Sequence, residues 1–367
     1  MLDLLIHNVL RVDPGSILMV AVGMMLLYLA IVRSYEPVLL IPIGFGAILA
    51  NLPGSSAVGE HGFLTILYDA GIITDLFPVL IFIGVGAMID FGPLLSQPEM
   101  FVFGAASQSG IFLTMIMAAR FGFSLREAAS IGVIGAADGP TSIYVASRFA
   151  PHLLGPISVA AYSYMSMVPL IQPPVIRALT TARERKIRVS FESRSVSKFA
   201  RVAFPVLVTL VAGVVAPESV ALVGALMFGN LLRESGVTPM LSKSAQNELV
   251  ALVTLLLGIT IGSSMRADTF LRFETLLVLG MGFCAFAMDT AGGVLFAKFL
   301  NLFLPRKINP MVGACGISAF PMSARVVHKM GLEEDPHNFL LMQAVGANVA
   351  GQVASVIAGS LLLALVP

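Results

Sequence analysis

The stretch Gly132-Val-Ile-Gly-Ala-Ala-Asp-Gly-Pro-Thr-Ser142 sets a carboxylate and two hydroxyls inside a long apolar run. Gly139 and Pro140 follow Asp138 directly. Proline lacks a backbone N–H and glycine lacks the Cβ that restrains φ, so the pair interrupts a regular helix. A broken helix frees backbone carbonyls, and a carboxylate beside them makes an oxygen-rich pocket. At membrane depth such a break persists only inside protein or along a wet cavity. An intramembrane Asp is therefore read first as a functional site. The plainer alternative is a loop end at which Asp138 caps the next helix.

The frame recurs in Gly313-Ala-Cys-Gly-Ile-Ser-Ala-Phe-Pro-Met-Ser323. Gly132, Gly135, Pro140 and Ser142 correspond to Gly313, Gly316, Pro321 and Ser323, each pair 181 residues apart in a chain of 367. A weaker echo sets Phe82-Ile-Gly-Val-Gly86 against Leu257-Gly-Ile-Thr-Ile-Gly262. Two halves, each with a broken apolar segment at a corresponding place, predict a repeat with its site at the interface.

Further polar residues interrupt the apolar runs. They are Tyr162, Tyr164 and Gln172 in the first half, and Asn309, Ser318, Arg325, Gln343, Asn348, Gln352 and Ser355 in the second. Oxygen donors dominate, which suits a hard, weakly bound cation such as Na+. Asp138 would supply the charge, Asn309 and Asn348 neutral oxygens, and Tyr164 a phenol for a cation or a proton relay. Each has a structural alternative. Asn348 and Gln352 can bond between helices, the tyrosines can be core aromatics, and Ser323 and Ser355 can bond their own backbone. Arg325 can snorkel to the interface. Asp289, a second acid in an apolar run, reads as a structural partner ahead of a second ion site. Cys284 and Cys315 form neither a metal spacing nor an expected disulfide.

The elements that position these groups must be membrane helices. Hydrophobic residues make up 57% and charged residues 12% of the chain, and mean hydropathy is +0.91. Soluble domains carry about twice that charged fraction. No basic arm for nucleic acid is present, and Met1–Val12 does not read as a cleavable signal. Twelve apolar segments are separated by turn chemistry such as Asn51-Leu-Pro-Gly54. Between the sixth and seventh lies a basic stretch, 177–201, with eight Lys and Arg against Glu184 and Glu192. It reads as a cytoplasmic linker between a first repeat, 1–176, and a second, 202–367. The acidic stretch 51–75 reads as an external loop. The expected fold is an all-α polytopic membrane protein with two inverted repeats of about five spans each, ten or eleven crossings in all. Segments 76–91 and 248–265 look short for a span.

The strings Gly135-Ala-Ala-Asp-Gly-Pro-Thr141, Ala161-Tyr-Ser-Tyr-Met165, Gln172-Pro-Pro174, Asn309-Pro-Met-Val-Gly313 and Gly346-Ala-Asn-Val-Ala-Gly351 resemble the β subunit of the sodium-translocating biotin-dependent decarboxylases. With Glu36-Pro-Val-Leu-Leu-Ile-Pro-Ile-Gly-Phe-Gly46 they cover nearly the whole chain. The resemblance implies a membrane subunit that decarboxylates carboxybiotin and exports Na+ with proton uptake, built on inverted halves with an elevator-like moving core. It implies partners: a carboxyltransferase α subunit, a biotin carrier protein or domain, and a small single-span membrane subunit. It implies a bacterial or archaeal cytoplasmic membrane, and leaves a homo-oligomer open. The family's essential Asp falls on Asp138 and its Tyr on Tyr164. The groups tied to ion or carboxybiotin handling fall on Asn309, Gly313, Ser318, Arg325 and Asn348. Arg325, with Ser318, is the candidate for binding carboxybiotin. A plain Na+/H+ antiporter or Na+-coupled carboxylate transporter fits the composition and the repeat equally well. A mere membrane anchor has no need of an acid beside a helix break.

Overall fold

The computed structural model describes residues 13–34, 36–188 and 195–366; Met1–Val12 and, within the basic stretch, Glu192 and Arg194 lie outside them. Every regular element among the described residues is helical. Among the described residues six helices are long and apolar enough to cross a membrane, or eight if each of two bent pairs forms one span. Ten or eleven crossings would also need helices as short as Pro37–Asn51.

Local sequence sets the helix ends. Helix α1 (Pro14–Val32) opens with Pro14 in its first turn, and the Asp13 carboxylate accepts from the Gly15 N–H, one of the donors a helix start leaves free. Helix α2 (Pro37–Asn51) and α3 (Leu76–Met88) follow. After α4 (Ser109–Arg120), Ser124 and Glu127 form a capping box at the start of α5 (Leu125–Gly132). The chain continues through α6 (Gly139–Phe149), α7 (Leu154–Ser166) and α8 (Val168–Leu179), the last two bent by 70°. The second half holds α9 (Lys198–Val215), α10 (Val220–Ser235), α11 (Val250–Ser264), α12 (Phe273–Phe303), α13 (Met322–Glu334) and α14 (Leu341–Leu365).

Two groups of helices result. In one, α2 packs on α11 and α3 on α10. Glycines bring these backbones together, and they do so reciprocally. A Cβ on Gly46 would lie 2.2 Å from the Ile259 carbonyl, and one on Gly262 2.1 Å from that of Ile43. Across the other pair, Gly86 meets Leu226 at 1.8 Å and Gly229 meets Ile83 at 1.9 Å. Ile43 and Gly46 thus play the part in one contact that Leu226 and Gly229 play in the other. The Phe82–Gly86 and Leu257–Gly262 strings occupy matching places. The second group holds α4–α8 and α12–α14. Only 11% of the α9 span is buried against 67% of α14, so α9 lies at the lipid-facing periphery and α14 at the centre.

Two stretches differ from their apolar patterns. Residues 51–75 are not all loop, since Phe63–Tyr68 is helical and continues into a π turn at Asp69–Ile73. The segment 248–265 is not short: helix runs without a break from Pro239 to Ser264, 26 residues, through a π turn at Ala245–Leu249. Lys243 and Glu248 end the apolar run but not the helix, because the backbone ladder does not depend on side-chain polarity.

The described part of the linker is fastened down rather than freely solvated. Arg185 Nε bonds Glu334 Oε1 at 2.5 Å, and Arg188 forks onto Asp335 at 2.6 and 3.0 Å. The Arg188 bonds, helped by the His337 N–H, hold the Asp335 carboxyl down at about 2. At the C-terminal end of α6, Arg148 bridges Asp75 (3.2 Å) and Glu218 (3.0 Å) while stacking over Tyr144. It ties α6 to both halves. Half exposure limits its worth, so Arg148→Gln is expected to lower stability by about 1 kcal/mol, read as a fall of a few degrees in melting temperature with the fold retained.

Candidate functional site

The helix break falls one step before Gly139. After α5 the chain makes a 3-10 turn over Val133–Ala136, Ala137 takes a left-handed conformation (φ 53°), and Asp138 is extended. Gly139 and Pro140 then start α6 rather than end a helix, where proline's missing N–H costs nothing. Asp138 is the N-cap of α6, with Oδ1 accepting from the Thr141 N–H at 3.3 Å. The capping role and the buried-acid role therefore belong to the same side chain.

The second broken stretch runs from Asn309 through a 3-10 segment, Pro310–Gly316, to extended residues, and Pro321 caps α13. The two stretches cross. The Ser318 N–H donates to the Ala136 carbonyl at 2.8 Å. At the crossing, Asp138 Oδ2 receives hydrogen bonds from Thr141 Oγ1 and Ser355 Oγ, both at 2.8 Å. Ser318 Oγ lies 3.3 Å from the same oxygen and 2.6 Å from Ser355 Oγ. The cluster is buried. Asn348 Nδ2 donates to the Ile317 carbonyl at 2.6 Å and Gln352 to that of Ser318. Asn348 Oδ1 is buried and bonds no other described group. Gly313 allows the crossing segment to reach α12, for a Cβ there would lie 2.1 Å from the Gly293 carbonyl.

Beside this cluster is a cavity of about 370 Å³ lined by Asp138, Pro140, Tyr162, Ser318, Gln352 and Glu36 among others. A Cβ on Gly139 would strike the Tyr162 ring at 2.4 Å, and the buried Tyr162 hydroxyl bonds no described group.

Other residues singled out in the sequence lie apart from the crossing. Tyr164 donates to the Leu279 carbonyl and packs edge-on against Phe283. Asn309 donates to the Arg185 and Ile187 carbonyls and accepts from Met311 N, pinning the basic linker. Arg325 is on the exposed face of α13. Ser323 bonds Gln172 across the core, and Asp289 is packed among Gly110 and Gly135. Thr141, Ser355 and Tyr162 carry more of the site than their sequence suggests. Thr141 follows Asp138 by three residues, the spacing of a capping bond, and is the one of the three with a local signal. Because Tyr162 faces the cavity, Tyr162→Phe is expected to change Na+ dependence more than Tyr164→Phe, in a side-by-side titration of the two variants.

Interrupted helices crossing at the centre of an all-helical bundle define a polytopic membrane protein of the transporting kind. The chain belongs to the family described as Na+-transporting oxaloacetate decarboxylase beta subunit, whose family model matches residues 15–366. It is 48% identical to the methylmalonyl-CoA decarboxylase subunit beta of Propionigenium modestum, over 96% of this chain and 95% of the relative. It is 48% identical to the glutaconyl-CoA decarboxylase subunit beta of Acidaminococcus fermentans (96% and 93%) and 43% identical to the oxaloacetate decarboxylase beta chain of Klebsiella pneumoniae (97% and 96%).

Proposed function

We propose that this chain decarboxylates carboxybiotin presented by a partner and couples the reaction to Na+ export at Asp138. The observation that carries this is the crossing of the two broken segments, with three hydroxyls gathered on one buried carboxylate. Among the described residues no group of three or more His, Cys, Asp and Glu could hold a metal ion. The donors at the crossing are one carboxylate, hydroxyls and amide oxygens, which suit Na+. A hydroxyl donates to the carboxylate when no cation is bound and turns a lone pair to the cation when one is. Asn348 Oδ1 is a further uncommitted oxygen.

Loss of CO₂ from carboxybiotin breaks the N–C bond and leaves its electron pair on the ureido nitrogen, which takes up one proton. Asp138 holds either Na+ or a proton, so proton delivery and Na+ movement exclude each other there. Arg325, exposed on α13, steers the carboxylate of the incoming carboxybiotin from outside, and Ser318, which lines the cavity, receives it there. A carboxyltransferase α subunit, a biotin carrier and a small single-span subunit complete the assembly. The linker 177–201 faces the cytoplasm, joining repeats 1–176 and 202–367.

The repeats are inverted in this reading. Helix α2 runs beside α11 in the same direction, from Leu39 near Gly258 to Asn51 bonded to Met265. Pairing the second span of one half in parallel with the third of the other supports opposite orientations for the two halves.

Two measurements test the proposal. The complex, purified through this chain, should contain biotin and should take up ²²Na+ into sealed vesicles as it releases CO₂. Na+ movement driven by a pH gradient with no biotin-containing partner would make the chain an antiporter instead. Ser355→Ala removes a bond to a charged group worth roughly 1.5–3 kcal/mol. It is expected to raise the half-saturating Na+ concentration about 10-fold, read from initial rates across a Na+ series.

A further inference from the structure

The end of α12 carries a second site, remote in character from the Asp138 crossing. A cavity of about 800 Å³ opens between this helix end and the linker. Arg183, Lys186, Lys298 and Lys307 line it, and Glu184 is the one acid among the described lining residues. Lys298 Nζ is committed to Glu184 Oε1 (3.1 Å) and to the Leu179 carbonyl (2.9 Å), so Glu184 offsets Lys298. Lys307 donates to the Asn301 carbonyl, which leaves its charge without a counter-charge among the described lining residues. Arg183 and Lys186 are exposed. The net character is strongly positive.

The rest of the wall is apolar and faces outward. Phe299 and Leu302 line the cavity and are 53% and 75% exposed, and Phe303 beside them is 72% exposed. On a helix that crosses a membrane, such side chains contact acyl chains. The basic groups therefore sit where lipid-facing surface meets the headgroup layer, with lysine stems lying along apolar surface. A ligand matching both walls is anionic at one end and apolar at the other.

We propose that this cavity binds the headgroup of an anionic phospholipid, its phosphate on Arg183, Lys186 and Lys307 and its acyl chains along Phe299 and Leu302. Arginine's planar fork suits phosphate oxygens, and basic pockets at helix ends on the cytoplasmic side recognise such headgroups. Inorganic phosphate shares the anionic chemistry but has nothing to place on the apolar wall. An acidic partner surface would use the charges and leave that wall in lipid.

The test is native mass spectrometry of the purified complex, stripped of lipid and titrated with phosphatidylglycerol or phosphatidylcholine. Phosphatidylglycerol is expected to bind at least 10-fold more tightly. Each base near an anionic headgroup contributes about a factor of five. Arg183→Gln/Lys186→Gln should therefore weaken phosphatidylglycerol binding about 25-fold, and adding Lys307→Gln about 100-fold. The double variant touches only exposed side chains, so it remains a test if the triple variant misfolds. Equal binding of the two lipids, or full retention of phosphatidylglycerol by the double variant, overturns the proposal. So does displacement of the lipid by millimolar inorganic phosphate, or by the biotin carrier mole for mole.

Discussion

Asp138→Asn is expected to abolish carboxybiotin decarboxylation and Na+ uptake together, lowering both by more than about 100-fold. Replacing one partner of a buried ionic contact removes roughly 3–5 kcal/mol, and here the lost partner would be the cation's only charged ligand among the described residues at the crossing. The substitution is nearly isosteric. Its side-chain oxygen can take the Oδ1 place and accept from the Thr141 N–H, while its NH2 faces the Thr141 and Ser355 hydroxyls, which can turn to accept, so the N-cap of α6 and the crossing should persist. A melting temperature at or above that of the wild type, alongside lost turnover, would place the effect in function rather than in folding. The measurement is CO₂ release and ²²Na+ uptake on the same vesicles. Unchanged Na+-dependent decarboxylation in the variant would remove Asp138 from the coupling site. Lost uptake with normal decarboxylation would separate the two events that the proposal joins.

A second large effect is expected from a single methyl group. Gly293 of α12 and Gly313 of the broken segment approach so closely that each Cβ position lies about 2 Å from the other's carbonyl oxygen. Gly293→Ala must push α12 from the segment that carries Ser318 to the crossing. Both sides of this contact are buried backbone, which cannot move aside as a flexible side chain can. Overpacking of this kind costs typically 1–3 kcal/mol and more where backbone must shift. The variant should lose about 10 °C or more in melting temperature, or fail to accumulate. Gly280 of the same helix is the control: it is exposed and a Cβ there meets nothing within 4 Å. Gly280→Ala should be neutral or stabilising by up to about 1 kcal/mol. Thermal melting of the two purified variants in one detergent distinguishes them. Equal behaviour would mean that α12 and the broken segment are not in this register.

The two predictions probe different layers of the same site. In the proposed mechanism Asp138 supplies the chemistry, and Gly293 with Gly313 supplies the approach that brings Ser318 to it. Thr141 and Ser355 carry intermediate effects because each provides one hydroxyl among several on a shared oxygen.

The amino-acid sequence alone determined the solvent this chain folds in and the place where its helices fail. Low charge and high hydropathy require a membrane bundle. The left-handed Ala137 and the helix start at Gly139-Pro140 lie within one residue of the break that Asp138-Gly-Pro implies. These are local matters, settled by backbone N–H groups, Cβ atoms and the cost of burying charge. The paired Gly frames likewise marked both crossing segments. The partners of Asp138 were settled only by tertiary structure. Ser318 and Ser355 come from 180 and 217 residues away. Helix α14, which carries Ser355, is buried on almost every side, so no apolar stripe reveals which face meets the acid. The tertiary arrangement also set Tyr162, rather than Tyr164, at the cavity and turned Asn309 towards the linker. In a helix that is apolar all round, rotation about the axis is fixed by close approaches such as Gly46 on Ile259 and Gly293 on Gly313. Such approaches depend on two distant backbones at once, and neither strand of sequence records the other.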